Sequence, residues 1–220
     1  MANLTNTGLF VFVEAAAVVV SALSGMIVAR NNKMDIVGAY SIALLTAFGG
    51  GTIRDILLER RPFFWIENER YLIIVFVMCI AFVYVPFFYK VAVKLHSRTN
   101  TVDAIGLGLF SISGLIAALN GGLPVFPATL LGVITGVAGG VLRDVVTNQI
   151  PVIFRYEGGL YAAASFIGCW IFIACLLIFD TAFPGFVISV ISIIALRMGS
   201  LYYGFKLPSP HWFSDPDQKK

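Results

Sequence analysis

Apolar stretches long enough to cross about 30 Å of hydrocarbon, at about 20 residues each, recur seven times along the chain. They fall near residues 9–29, 36–58, 71–89, 102–119, 124–147, 159–179 and 184–204. The third and sixth are the plainest. The second and fifth share a departure: each runs apolar, meets a glycine cluster and ends in Arg-Asp. The pattern predicts an all-α membrane protein with seven transmembrane helices in a single transmembrane domain over 1–220. A polar tail over 205–220, with Pro208, Pro210 and Pro216, follows the last span.

Composition leads to the same solvent. Apolar residues make up 59% of the 220, charged residues 12%, and mean hydropathy is +0.90. A soluble chain of this size cannot bury so much apolar surface. This excludes a soluble enzyme, a nucleic-acid binder and a disordered protein, and makes membrane lipid a partner. The net charge of +3 is small and reads as topology. No catalytic or metal site is expected. Cys79, Cys169 and Cys175 sit inside apolar runs without metal spacing, and His96 and His211 lie in polar segments. No cofactor is expected beyond permeant K⁺ or Na⁺. Residues 1–8 carry no Lys or Arg and Glu14 interrupts the first apolar run, which argues against a secretory signal.

Lys and Arg set the orientation. With the N-terminus outside, eleven basic residues lie on the inner side (Arg30, Lys33, Lys90, Lys94, Arg98, Arg143, Arg155, Arg197, Lys206, Lys219, Lys220) and four on the outer (Arg54, Arg60, Arg61, Arg70). The expectation is therefore N-terminus out, C-terminus and tail in the cytoplasm.

The strongest signal is an internal repeat. Shifted by 89 residues, 13–62 align without a gap on 102–151, with fourteen of fifty positions identical. The identities include Ser24/Ser113, Gly25/Gly114, Thr46/Thr135, Gly50/Gly139, Gly51/Gly140, Arg54/Arg143, Asp55/Asp144 and Pro62/Pro151, while Glu14 meets Asp103. Chance alignment of apolar spans does not repeat Gly-Gly-x-x-Arg-Asp followed seven residues later by proline. Each unit holds three spans, and three is odd, so the second copy enters the membrane from the opposite side. The units are about 9–89 and about 102–179, with an extra helix at about 184–204. Inverted repeats of this kind place solute paths at the repeat interface.

The matched polar and small residues are the candidate site. Gly49, Gly50 and Gly51 in the second span, and Gly136, Gly139 and Gly140 in the fifth, predict kinks that bare backbone groups to a path. The competing reading is close helix packing. Arg54 and Arg143 are ionisable groups at the edges of spans, costly there unless paired or hydrated. Neighbours on a helix point about 100° apart, so Asp55 and Asp144 are not expected as the main partners of the adjacent arginines. Equal depth, about 6–8 Å below the outer face by helical rise, pairs Arg54 with Glu14. Pseudo-symmetry pairs Arg143 with Asp103, and Asp144 is a cross-repeat alternative for Arg54. Snorkelling to water is the competing reading. Ser24, Ser113, Thr46 and Thr135 either line a hydrated path or bond back to their own helices. Phe63, Phe64, Trp65, Tyr84, Tyr89, Tyr202, Tyr203 and Trp212 are expected as interfacial anchors.

Gly-Gly-Gly-Thr-Ile-Arg-Asp at 49–55 and Gly-Gly-Val-Leu-Arg-Asp at 139–144, each seven residues before a proline, resemble the trimeric intracellular cation (TRIC) channel family. Glu14, Asp103, Ser24-Gly25 and Ser113-Gly114 fit the same pattern, and the resemblance covers about residues 9–204. It implies a homotrimer with one hourglass pore per protomer, lined mainly by the first, second, fourth and fifth spans and narrow at the glycine kinks. It implies passive flux of monovalent cations, K⁺ with Na⁺ also permeant. The short tail, with three lysines, fits a prokaryotic plasma-membrane member. Residues 104–118 lack the basic residue that governs gating in animal members.

Three functions remain open to the sequence. A channel would draw cations through acidic mouths at Glu14 and Asp103, provided carboxylates neutralise the two arginines. A carrier for a small zwitterion such as glycine, known among bacterial relatives in this resemblance, would aim half-helices starting at Thr52 and Val141 at a carboxylate. A scaffold would leave the matched Arg-Asp pairs unexplained.

Overall fold

Without water, backbone groups must be satisfied within the chain, and apolar runs of this length do so as helices. The computed structural model describes residues 7–85, 99–155, 158–179 and 181–205. Its helices are α1 (Thr7–Asn31), α2 (Ile36–Leu57), the single turn α3 (Phe64–Glu67), α4 (Arg70–Tyr84), α5 (Thr99–Asn120), α6 (Val125–Val146), α7 (Ala162–Ile178) and α8 (Ala182–Tyr203), with a 3₁₀ turn at Val152–Phe154. Five of these, α1, α2, α5, α6 and α8, are long and apolar enough to cross a membrane. The other two apolar helices, α4 and α7, are shorter. The predicted third span runs on to residue 89, and Tyr89, His96, His211, Trp212 and the tail from 206 lie outside the described residues.

The repeat is visible in the backbone beyond the shared residues. Lys33 and Gly122, 89 apart, both end a helix at positive φ (54° and 81°), as do Glu59 and Asn148 (53° and 55°). The same closing bonds follow: Met34 N–H to Ala29 O at 3.0 Å and Leu123 N–H to Ala118 O at 3.1 Å, then Arg60 N–H to Asp55 O at 2.8 Å and Gln149 N–H to Asp144 O at 2.7 Å. These are left-handed helix ends of the Schellman type. Only one of the four is glycine, so the fold repeats where the residues do not.

Packing follows the repeat. α1 lies on α2 and α5 on α6; α4 covers the first pair and α7 the second. The apolar core divides accordingly, with one cluster around Val18, Ile27, Phe48 and Val75 and another around Leu107, Leu115, Phe172 and Ile193. The halves join where α2 crosses α6 and α1 faces α5. α8 packs on α7 and α5, outside the repeat.

The α2–α6 crossing explains the glycines. A Cβ on Gly50 would overlap the Thr135 carbonyl, and one on Gly139 would overlap the Thr46 carbonyl. Gly50 thus meets Thr135 while Thr46 meets Gly139, so the two helices cross antiparallel, as an inverted repeat requires. Both helices run unbroken through their glycine clusters. The half-helices expected to start at Thr52 and Val141 are absent, since both residues lie inside continuous helix. What the glycines provide is bare backbone at the crossing.

Candidate functional site: two buried arginine clusters

The end of α2 buries Arg54 completely, at 0% exposure. Its Nη1 donates to Glu14 Oε1 of α1 at 3.0 Å, and its Nε donates to Asp55 Oδ1 at 2.8 Å. Nη1 also reaches Ser113 Oγ of α5 at 3.4 Å. The second oxygen of Asp55 accepts the backbone N–H of Phe64 at 2.8 Å. The Phe64 ring lies over the guanidinium, 5.1 Å from Cζ to centroid.

The end of α6 repeats the arrangement. Arg143 Nη1 donates to Asp103 Oδ1 at 2.9 Å and to Ser24 Oγ at 2.8 Å, and Nε donates to Asp144 Oδ1 at 2.9 Å. Asp144 Oδ2 accepts the N–H of Val152 at 3.2 Å. Pairing of the arginines with Glu14 and Asp103 is as expected. Two other readings of the partners are corrected, and the competing reading of snorkelling fails. The adjacent aspartates are full partners, because each guanidinium folds back along its helix and Nε meets the next residue's carboxylate. Asp144 is not the partner of Arg54; the cross-repeat contact falls to Ser113 instead. Neither arginine snorkels, since both are buried. The geometry also accounts for the proline spacing. Each aspartate bridges the arginine and a backbone N–H one or two residues after Pro151 or Pro62, so it ties the returning chain to the helix end.

Each cluster sets one guanidinium against two carboxylates, a formal charge of 1 − 2 = −1 apiece. Buried charges persist only when paired and hydrogen-bonded. Arg54 Nη2 is the one fully buried side-chain polar atom of these clusters without a hydrogen-bond partner among the described residues.

The hydroxyls divide. Ser24 and Ser113 serve the arginines. Thr46 and Thr135 bond back to Ile42 O and Leu131 O, both at 2.7 Å, and sit against Gly25 and Gly114, where a Cβ would be 2.8 and 2.5 Å from their Oγ1 atoms. Between α1, α2, α5 and α6 lies a narrow cavity with room for about one water, lined by Ser21, Ser24, Thr46, Asp103, Thr135 and Tyr161 among others. Gly136, Gly139 and Gly140 form part of its wall; Gly49, Gly50, Gly51, Glu14 and Arg54 do not. Only the second cluster therefore opens onto the cavity. At Gly51 the space above the backbone is filled by the Phe64 ring.

Phe64, expected at the membrane interface, is 0% exposed and belongs to the first cluster. Tyr84, Tyr202 and Tyr203 are exposed, as interfacial anchors should be. Two site residues escape sequence reasoning: Tyr161, which lines the cavity together with Asp103, and Arg197 of α8, stacked on the Tyr161 ring at 4.8 Å. The signal for Arg197 was an arginine within an apolar span; it was counted only as an inner-side charge.

A family model described as "Glycine transporter" matches residues 11–86 and 100–176. The two matches start 100 − 11 = 89 residues apart, the offset of the repeat. A UPF0126 membrane protein of Vibrio cholerae is 33% identical over 212 residues, covering 93% of this chain and 84% of its own length. The UPF0126 inner membrane protein YadS of Escherichia coli is 30% identical over 204 residues, covering 90% and 94%. The crystal structure of the TRIC trimeric intracellular cation channel orthologue from Rhodobacter sphaeroides superposes with a TM-score of 0.79 at 29% identity, over 90% of this chain and 99% of that one. The chain belongs to the TRIC channel family. It is a prokaryotic-type TRIC protein, a multi-pass membrane protein and not an enzyme. The Arg-Asp motifs by which it resembled the TRIC family are the ends of α2 and α6 that carry the two clusters.

Proposed function

We propose that this protein is a monovalent cation channel, permeable to K⁺ and also to Na⁺, with one pore in each protomer of a homotrimer. The observation that carries the reading is the charge count at the clusters. Arg54 and Arg143 are each outnumbered two to one by carboxylates, so these two arginines do not bar cations and the charge of their clusters favours them. The polar cavity between α1, α2, α5 and α6 supports a path there, and a bend at the glycine crossing would widen it. The protein sits in the prokaryotic plasma membrane, crossing it seven times with α4 and α7 included, N-terminus outside and C-terminus in the cytoplasm, as the Lys and Arg distribution requires.

The family model's description supports a second reading, a carrier of a small zwitterion such as glycine. Continuous α2 and α6 remove the half-helix termini that motivated it. Planar-bilayer recording of purified protein under asymmetric KCl separates the two. Unitary currents with a cation-selective reversal potential are expected. Electrical silence with saturable uptake of labelled glycine into proteoliposomes would replace the channel by the carrier.

A further inference from the structure

Three arginines are buried among the described residues, and they are held in two different ways. Arg54 and Arg143 are each bound by two carboxylates. Arg197 of α8 is buried as well, at 2% exposure, yet no carboxylate among the described residues pairs with it. Its Nη1 donates to the Gly158 carbonyl, its guanidinium lies 4.8 Å over the Tyr161 ring, and its Nε has no hydrogen-bond partner among the described residues. A carbonyl dipole and a ring face attract a buried cation but do not neutralise it. Arg197 lies 203 − 197 = 6 residues before the end of α8 at Tyr203, about 9 Å inside by helical rise. Moving Arg54 or Arg143 would strip two buried carboxylates of their cation, a heavy cost. Arg197 carries no such tie, so a transmembrane voltage moves it at the lowest cost of the three.

The same part of α8 grips the segment that leads into α7. Ser200 Oγ accepts from Leu160 N–H at 3.1 Å and donates to Arg197 O at 2.8 Å. Gly159, at φ 69°, is the point of closest approach: a Cβ there would lie 2.8 Å from Ser200 Oγ and 3.1 Å from Arg197 Nη1. Two residues on, Tyr161 lines the cavity. It presses on the bare backbone of α6 at Gly140, where a Cβ would lie 3.1 Å from Tyr161 Oη. Any displacement of Arg197 therefore acts on the Gly158 carbonyl and the Tyr161 ring together. The first half lacks this lever. The ring over Gly51 is Phe64, stacked on the carboxylate-bound Arg54, and α8 has no counterpart there.

We propose that Arg197 is a voltage-responsive charge and that it acts by positioning Tyr161 on the wall of the path. This inference rests on the cation-channel reading. The water closest to Arg197 along α8 lies beyond Tyr203. A voltage that makes that side of the membrane negative draws the guanidinium toward it, off the Gly158 carbonyl and the Tyr161 ring. Tyr161 is then free to leave Gly140, and the cavity, with room for about one water, widens. A charge drawn over about 9 of about 30 Å crosses about a third of the field. The ratio of open to closed channels should therefore change about three- to fourfold per 100 mV.

The test is single-channel recording under KCl across a voltage series, with protein inserted in one orientation. Open probability is expected to rise as the Arg197 side becomes negative. Arg197→Gln keeps the length and a donor but removes the charge, and should flatten the dependence of open probability on voltage. Arg197→Lys keeps the charge and should restore the steepness. A general loss of stability would not separate these two variants. Should Arg197→Gln fail to fold, Tyr161→Val carries the test: without the ring at Gly140, the channels should stay open at voltages that close the wild type. A wild type that conducts cations with an open probability independent of voltage, or with the opposite sign, overturns this inference alone. So does wild-type steepness in Arg197→Gln, or wild-type closure in Tyr161→Val. A wild type without cation current overturns the channel reading and this inference together.

Discussion

Arg143 Nη1 meets Ser24 Oγ at 2.8 Å, although 119 positions separate them and they belong to opposite repeats. The mate of this contact, Arg54 Nη1 to Ser113 Oγ, is longer at 3.4 Å. Each arginine thus fastens its own repeat through a carboxylate and the other repeat through a serine. The clusters are seams as well as charged stations.

That double role makes Arg54 expensive to remove. Arg54→Ala leaves Glu14 and Asp55 buried without their cation, a loss of about 3–5 kcal/mol, read by thermal unfolding in detergent. Adding Glu14→Ala should recover part of it, since contacting residues are not additive. Arg54→Ala with Asp144→Ala should instead sum, because Asp144 belongs to the other cluster. Additivity of Arg54 with Glu14 would reduce the observed pair to a contact without energetic weight.

At the helix crossing, Gly50→Ala forces a methyl into the Thr135 carbonyl. It should destabilise by about 1–3 kcal/mol, as overpacking does, and Leu at Gly50 and Gly51 together should abolish flux. Gly199 of α8 is the control: a Cβ there meets nothing within 4 Å, so Gly199→Ala should be neutral or gain about 0.5–1 kcal/mol. Equal melting temperatures for Gly50→Ala and Gly199→Ala would refute the crossing as the role of Gly50.

Phe64 is fully buried between Gly51 and Arg54. Phe64→Ala should cost about 3–5 kcal/mol, the range for a large buried aromatic. The partly exposed neighbour Phe63 should cost much less on truncation. A pair of equally mild losses would return Phe64 to the membrane interface.

Inverted topology is testable at surface sites. Arg54 and Arg143 are too buried to label, but Glu59 and Asn148, also 89 apart, are exposed. Single cysteines at these two, with Cys79, Cys169 and Cys175 replaced, should react from opposite sides of the membrane with an impermeant thiol reagent. Glu59→Cys should react from outside. Labelling of both from one side would sink the inversion.

The sequence by itself determined the helical membrane architecture, because lipid leaves an apolar chain few ways to satisfy its backbone. It determined the repeat as well, since Gly-Gly-x-x-Arg-Asp and its proline recur in register at 50–62 and 139–151. Depth matched Glu14 to Arg54, and the pseudo-symmetry of the repeat then matched Asp103 to Arg143. The tertiary structure decided the rest. Helical direction separated Arg54 from Asp55, yet a long flexible guanidinium can fold back, and only the packed site shows that it does. Thr46 and Thr135 could line a path or bond back to their helices; the packed structure has them do both, on the cavity wall and on the carbonyl of the preceding turn. Phe64 reads as an interface residue until Asp55 captures its N–H and turns the ring inward. Tyr161 and Arg197 lie beyond the aligned stretch, so no repeat marks them. Their place beside Asp103 depends on how α7 and α8 pack against α5, and contacts between distant segments leave no periodicity for a single sequence to display.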